Sequence, residues 1–329
     1  MVSIVTSFEQ ICLSCQLPDC IEISTDSSES INVEILANNQ VIFETDISPY
    51  NQEANFYDMR EVVEQFLDAN KLVYAQFDFQ VTQGQSDDSS SAIAIVRSDI
   101  DIPETVTWLR THYLTTRESF AISPTGSQQL TFFAQQGEIV TSKIEATIIR
   151  PNGSQAIYTS TTSTQTLNEG VYTLDINVEN VQSMFEQNGT VITFAVFRND
   201  RIMNFYIIDE PNFSFRFLNN FNAQEYAEVK GTRNIKHKKE ANDAKIIRKT
   251  VLYDINKETS YEIETTLLAR QEALWLGQMM QSRDVQVETN GQWRDVVIDG
   301  ETDISDNVEK ETRVKFGYQY ATDIQSLDF

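Results

Sequence analysis

The residues near the start of the chain that are best suited to chemistry are three cysteines. Cys12, Cys15 and Cys20 follow a Cys-x2-Cys-x4-Cys spacing, which is how a zinc knuckle begins. A structural zinc site needs four ligands, and here only Asp19 lies close by, so one of the two histidines of the chain would have to fold back. Because a second close pair of ligands is missing, the pattern favours small buried thiols and predicts no metal site.

Acid–base or nucleophilic catalysis has little support in the sequence. The two histidines are His112 and His237, and the second lies in a lysine-rich stretch. No nucleophile elbow, phosphate-binding glycine loop or metalloprotease helix is present. With 49 acidic residues, pairs of carboxylates arise by chance alone. The sequence therefore predicts a protein that is not an enzyme and needs no cofactor.

A basic segment runs from Lys230 to Lys249. It holds eight basic and two acidic residues, a net charge of +6, whereas the rest of the chain has 17 basic and 47 acidic residues, a net of −30. The segment could neutralise nucleic-acid phosphates, dock on an acidic face of a partner such as a second copy of this chain, or form a solvated loop. Opposite patches on identical chains favour head-to-tail rings. The residues predicted as a subunit interface are Lys230, Arg233, Lys236, Lys238, Lys239, Arg248 and Lys249.

Strand patterns dominate the elements that must position these residues. Residues 31–45 read as a hairpin around the turn residues Asn38-Asn39. Asp58 and Glu61 have the spacing of a capping box, which predicts the start of a helix. Residues 73–81 then alternate between apolar and polar side chains as a strand does. The order is hairpin, helix, strand.

The same order recurs further along the chain. Residues 144–159 form a second hairpin around Pro151-Asn152-Gly153, residues 178–185 a short helix and residues 191–197 a strand. The offset between the copies is 113 residues at the first strand and 119 at the helix end, which one loop insertion explains. Residues 159–166, nearly all Ser, Thr and Gln, are predicted to be a loop.

Beyond residue 210 the pattern changes. Three phenylalanines within 213–217 alternate at the period of a strand, which favours a core face over a sugar-binding surface. Two strands flank a predicted turn at Asn256-Lys257, and Asn290-Gly291 is a strong hairpin signal. Residues 269–281 are rich in helix formers. This part of the chain is therefore predicted to be a third, β-rich region.

The predicted fold class is mainly β. Two similar β-sandwich-like domains, related by internal duplication, each carry a short helix, and the third β-rich region carries one longer helix. The predicted bounds are 1–100 for the first domain, 101–126 for a connector, 127–210 for the second domain and 211–329 for the third region, which contains the basic segment 230–249 and the helix near 269–281.

Composition argues against several classes of protein. With 329 residues, 40% of them hydrophobic, the chain is long enough for two or three domains with cores. No run approaches the roughly 20 apolar residues of a membrane-spanning helix, and the first 13 residues lack the Lys or Arg of a signal peptide. A net charge of −24 opposes casual binding to DNA or anionic lipid. We expect a protein made in a cytoplasm, without membrane contact.

Two stretches of the chain carry combinations of elements and residues that can be compared with known families. Residues 31–68 run strand, turn, strand, and then Phe-Tyr-Asp-Met-Arg-Glu-Val-Val-Glu at 56–64. Residues 215–230 read Phe-Arg-Phe-Leu-Asn-Asn-Phe-Asn-Ala-Gln-Glu-Tyr-Ala-Glu-Val-Lys and continue into the basic segment. Together they resemble β-rich proteins of phages and prophages of Bacteroidetes hosts, including the crAss-like group, which form stacked rings in the tail barrel or neck.

This resemblance implies a ring-forming component of the virion tail, assembled in the host cytoplasm and without chemistry of its own. Its partners would be copies of itself and other tail or portal-proximal proteins, with DNA passing close by without specific binding. A strongly negative lumen would let DNA pass without adhering. The alternative that the sequence leaves open is a carbohydrate- or peptide-binding β-sandwich protein of a bacterial surface.

Overall fold

The computed structural model describes residues 1–208, 211–246, 249–299 and 312–322. For Thr162 and for strand residues 239–246 and 249–257 it describes the backbone alone. The chain is mainly β, with four α-helices in this part, so the predicted fold class is confirmed. None of the helices within these ranges has the length and the apolar composition needed to cross a bilayer.

The first unit is a two-layer β-sandwich with one helix. Its main sheet has the order β2-β9-β7-β4-β5, with β8 paired to β7, and the facing sheet has the order β1-β3-β6. Alternation along β4 places Ile31, Val33 and Ile35 between the layers, where they are fully buried. The elements of this unit are β1 (Val2–Ile4), β2 (Ile11–Leu13), β3 (Cys20–Thr25), β4 (Ile31–Ala37), β5 (Gln40–Ile47), β6 (Glu53–Tyr57), α1 (Met59–Ala69), β7 (Tyr74–Gln83), β8 (Ser86–Ser89) and β9 (Ile93–Val96).

Helix α1 begins without the predicted capping box. Asp58, at the N-cap position, has a left-handed backbone with φ of 69°, and its side chain makes no capping hydrogen bond. An N-cap side chain reaches the first turn from an extended backbone, so this conformation turns the carboxylate away and the capping-box prediction is wrong. The helix is held instead by its apolar face, where Met59, Val63 and Leu67 are fully buried.

The second unit repeats the first. Its main sheet has the order β10-β16-β15-β12-β13, and the facing layer is the antiparallel pair β11-β14. A short helix, α2 (Thr105–Thr111), precedes it along the chain. The elements of this unit are β10 (Ser119–Ile122), β11 (Ser127–Ala134), β12 (Ile139–Ile149), β13 (Gln155–Thr166), β14 (Gly170–Asn177), α3 (Val178–Phe185), β15 (Thr190–Arg198) and β16 (Arg201–Ile207).

The two main sheets have the same strand order, because β5-β4-β7-β9-β2 corresponds to β13-β12-β15-β16-β10. In each unit a helix leads into the central strand, which is β7 in the first and β15 in the second. Each sheet also ends in a parallel pair, β2 with β9 and β10 with β16. The internal duplication predicted from the sequence is therefore present in the topology.

Two segments differ from their predicted structure. The sequence predicts a connector over 101–126, but β10 lies within it and pairs with β16, so the second unit begins before residue 127. The loop predicted at 159–166 is wrong, since these residues pair with β12 as part of β13. β-Branched threonine fits an extended, half-exposed strand, which accounts for a strand in so polar a sequence.

The third region is one seven-stranded sheet covered by a helix. The sheet has the order β18-β17-β21-β22-β23-β20-β19. Phe215 and Phe217 lie in its core with Trp275 and Met279 of the helix, which confirms the predicted core face. Asn290 and Gly291 both have positive φ, as the predicted two-residue hairpin turn requires. The elements are β17 (Phe213–Leu218), β18 (Gln224–Val229), β19 (Gly231–Ile246), β20 (Lys249–Thr265), α4 (Arg270–Gln281), β21 (Val285–Thr289), β22 (Gln292–Asp299) and β23 (Lys315–Tyr320).

Buried side chains join the three parts. One hydrophobic core runs through the second unit and the third region. A smaller cluster, which includes Leu13, Val96, Phe133 and Phe221, joins the first unit to the other two. Packing of this kind holds the surfaces of all three parts in a fixed arrangement.

Candidate subunit interface

Strands β19 and β20 form a ribbon, Gly231–Ile246 with Lys249–Thr265, that extends beyond its sheet. Their pairing runs from Gly231–Thr265 at the base to Ile246–Lys249 at the far end. Strand β23 pairs with β20 only over Tyr261–Glu264. Beyond these residues, β19 and β20 pair only with each other in the described pairings. At about 3.3 Å per residue, the part beyond this base spans roughly 35 Å.

The sequence shapes the ribbon at its base and along its length. A Cβ atom on Gly231 would lie 2.4 Å from the backbone oxygen of Glu264, so the close approach of the strands there requires glycine. The turn predicted at Asn256-Lys257 is wrong, because these residues continue β20 opposite Glu240 and Lys239. The β-branched and aromatic residues on both sides of this dipeptide favour a continuous strand.

The base of the ribbon is anchored by aromatic side chains. The guanidinium of Arg233 lies 5.7 Å from the ring centre of Phe213 and 5.4 Å from that of Tyr261. Tyr261 stacks on the buried Tyr318 at 5.1 Å between ring centres. Ile263, the neighbour of Tyr261 along the core face, is fully buried. These contacts fix where the ribbon leaves the body.

The outer face of the base carries an ion-pair network centred on Glu262. Its carboxylate accepts hydrogen bonds from Nζ of Lys236, at 2.5 Å, and from Nζ of Lys315, at 2.9 Å. These two hydrogen bonds lower the pKa of Glu262 to about 2. Beside it, Nη1 of Arg313 lies 3.1 Å from Oε1 of Glu264. One of the predicted interface lysines is therefore engaged within its own chain.

Replacing Glu262 with glutamine is expected to remove an acid-sensitive contribution to stability. Because the folded-state pKa lies below the ordinary carboxyl value of 4.5, the ionised side chain stabilises the fold above that pH, and this stabilisation is lost as pH falls towards about 2. In urea unfolding, the midpoint of the parent should exceed that of Glu262→Gln above about pH 5 and converge with it in acid. Glu179→Gln, on the exposed side of α3, is the control. Parallel pH profiles for the parent and Glu262→Gln would contradict the network.

The predicted interface residues lie along one hairpin. Lys230, Arg233, Lys236 and Lys238 are exposed. Lys239 and Lys249 pair within the ribbon, opposite Lys257 and Ile246, and Arg248 lies outside the described residues. A solvated loop was one interpretation of this segment, and it is wrong for residues 231–246, whose backbone is strand β19.

Pairing with β20 also changes the charge of the basic segment. β20 brings four carboxylates and one lysine between residues 250 and 265, so residues 230–265 contain nine basic and six acidic residues, a net of +3. The rest of the chain has 16 basic and 43 acidic residues, a net of −27. The ribbon is thus a moderately basic arm on a strongly acidic body, which suits contact with an acidic partner.

The residues considered for metal binding and catalysis lie apart from the ribbon or on its surface. Cys12 is buried, which raises the pKa of its thiol to about 12. The thiol of Cys15 donates to the carbonyl oxygen of Ile100 at 3.2 Å. His112 stacks on Trp108, and Nδ1 of His237 lies 3.2 Å from the hydroxyl of Thr259. No group of three or more His, Cys, Asp or Glu side chains able to hold a metal ion occurs in the described ranges.

Sequence reasoning missed the buried polar residues that hold the parts of the molecule together. Arg201, Arg97, Asp68 and Glu225 are buried or nearly so. Two of them could have been found from the sequence, because Arg201 and Glu225 occupy positions of alternating strands at which the side chain points into the core. They position the surfaces of the molecule and do not form part of the candidate interface.

Comparison with known proteins gives no assignment: no family model matches this chain, and no curated protein matches it in sequence.

Proposed function

We propose that this chain is a structural component of a phage virion that forms a symmetric ring in the tail barrel or neck, through which DNA passes, and that it has no catalytic activity. The observation that carries the proposal is the ribbon. A two-stranded hairpin is at best marginally stable alone in water, so an arm of this length gains stability by packing against another chain. The resemblance of residues 31–68 and 215–230 to ring-forming virion proteins points to the kind of assembly.

The geometry suits a ring in two further ways. An arm on one side of a body can bind a different surface of the next copy, which is a head-to-tail contact, and head-to-tail contacts close into rings when the rotation between copies allows it. The acidic body, at −27 outside residues 230–265, repels DNA and would keep a central channel free of bound nucleic acid. Other tail or portal-proximal proteins would contact the remaining surfaces.

Electron microscopy of the purified full-length chain tests this function. Negative-stain images should show closed rings, and the oligomer mass should fall towards the monomer as salt is raised, because screening weakens contacts between exposed charges. A monodisperse monomer at low salt would overturn the proposal. Specific binding on a glycan array by such a monomer would favour a carbohydrate-binding surface protein instead.

A further inference from the structure

The first unit presents an acidic sheet face beside a free edge. On β4, Ile31, Val33 and Ile35 point into the core, so the residues between them point outwards. Strand register places their neighbours on β5, β7 and β8 on the same face. We call this surface the acidic face; its carboxylates are Glu34, Glu44, Asp46, Asp78 and Asp87.

The acidic face is electrostatically unbalanced. Glu34 lies directly opposite Glu44 in the β4–β5 pairing, and like charges in this position destabilise a sheet. The amide of Asn32 donates to Oε1 of Glu44 at 3.0 Å and to Oδ1 of Asp46 at 3.1 Å, which spreads the charge without neutralising it. In the described part of the chain, none of the five carboxylates forms an ion pair. A basic partner would relieve this repulsion.

The duplication supplies an internal comparison. β13, the counterpart of β5, contains no charged residue. On β12, the counterpart of β4, Lys143 Nζ pairs with Glu145 Oε1 at 2.8 Å, so the outward face of the second sheet is close to neutral. The same topology thus exists without the carboxylates, and the fold does not require them. Their presence in the first unit needs a separate reason.

The strand edge beside the acidic face is also available. β5 is the last strand of its sheet, so one side of its backbone has no strand partner among the strands that the structure describes. The edge strand of the ribbon, β19, is in the same position in its own sheet and carries Arg233, Lys236, Lys238 and Lys239. Edge strands with unpaired backbone groups pair readily with another chain.

We propose that β5 and the acidic face bind strand β19 of the ribbon from a second copy of this chain, in a head-to-tail contact. Charge complementarity identifies the partner: two bodies at −27 repel each other, and residues 230–265, at +3, form the basic arm that can approach. This inference rests on the proposed ring and adds the surface on which neighbouring copies meet. The uncharged edge of β13 is the competing site.

A charge-swap experiment tests this contact with the full-length chain. One variant carries Glu44→Lys and Asp46→Lys on the acidic face, a second carries Lys238→Glu and Lys239→Glu on the ribbon, and a third carries all four changes. Each pair alone should weaken assembly at least tenfold in apparent association constant at low salt, and the four changes together should restore assembly, because the two surfaces have exchanged charge. The control variant carries Thr159→Lys and Thr161→Lys on β13 and should assemble like the parent.

Mass photometry measures assembly, and circular dichroism with the urea midpoint checks that each variant is folded. Two results would contradict the contact between β5 and β19 but not the proposed ring. In the first, the parent forms rings and the variant of the acidic face assembles equally well; in the second, the four changes together fail to restore assembly. If the β13 variant loses assembly instead, the contact lies on the second unit, and the proposed contact on β5 is wrong. A parent that never assembles would overturn both proposals.

Discussion

Replacing Arg201 with alanine is expected to lower the free energy of unfolding by about 3–5 kcal/mol, the usual cost of removing one partner of a buried ion pair. The side chain has no exposed surface. Its guanidinium donates to Glu138 Oε1 at 2.7 Å, to the carbonyl oxygen of Leu109 at 2.7 Å and to that of Phe133 at 2.8 Å. Alanine would leave both carbonyl groups and the carboxylate of Glu138, which is 15% exposed, without this donor, and buried polar groups that lose a partner are costly.

Urea unfolding of Arg201→Ala and of a surface control measures this effect. The matched control is Arg150→Ala, which removes an exposed guanidinium that lies 5.6 Å from the ring centre of Tyr158 and should cost no more than about 1 kcal/mol. Arg201→Lys keeps the charge but cannot reach three acceptors at once, so it should fall between the two. Equal destabilisation by Arg150→Ala and Arg201→Ala would refute the assigned role.

Replacing Asp68 with alanine is expected to cost about 3 kcal/mol and to loosen the first unit from the third region. Asp68 lies in the last turn of helix α1, and its carboxylate accepts from Arg97 Nε at 2.7 Å, from Arg283 Nη1 at 2.7 Å and from Asn222 Nδ2 at 3.1 Å. Burial acts to raise the pKa of Asp68, but the hydrogen bonds from Arg97 and Asn222 outweigh it, so the pKa lies below the ordinary value. Without this carboxylate, the side chain of Arg97, 6% exposed, keeps Asp99 at 2.8 Å and Glu64 at 3.7 Å, and both of these carboxylates are more exposed to solvent than that of Asp68.

The pH dependence of this variant has a defined sign. Because the pKa of Asp68 is lowered on folding, its stabilisation is present above the ordinary carboxyl pKa and is lost as pH falls below it. The difference in unfolding free energy between parent and Asp68→Ala should therefore shrink in acid. Asp19→Ala, which removes a carboxylate that is 93% exposed and pairs with Arg60 at 3.5 Å, is the control and should change stability little. A constant difference from neutral pH to pH 3 would contradict the assignment.

Local patterns predicted most of the fold. Alternation over residues 31–45 and the turn residues Asn38-Asn39 predicted a hairpin, and both asparagines have the positive φ of a two-residue turn. The helix predicted at 269–281 is α4, Arg270–Gln281. The duplication was visible because each copy keeps its hairpin, helix and strand in the same order. These features depend on residues close together in the sequence.

Features that depend on long-range pairing were missed. Charge counting identified the basic segment, but its net charge could be corrected only once β20 was known to lie beside β19. Glu225 is a similar case: it accepts from Trp275 Nε1 and Asn219 Nδ2, each at 2.5 Å, and burial raises its pKa. Its position, two residues before the buried Ala227 on β18, indicated an inward side chain, but no sequence pattern gave its partners.

The proposed ring assembly depends on the ribbon more than on any other part of the candidate interface. The sequence predicted the interface residues within the basic segment 230–249 and left their backbone structure open. The structure adds the strand pairing, the anchor at Arg233 and the length of the arm. It also shows that Lys236 is paired with Glu262, so the ribbon surface beyond the base must supply most of any contact with a neighbour.

The most direct test of the account is the mass of a chain with a shortened ribbon. Residues 238–258 are removed, and the facing residues His237 and Thr259 are joined by an Asn-Gly turn, which preserves the base and the sheet. The parent should assemble into rings, and the shortened chain should be a folded monomer with a similar urea midpoint. A shortened chain that assembles to the same mass as the parent would contradict the claim that the ribbon joins the copies.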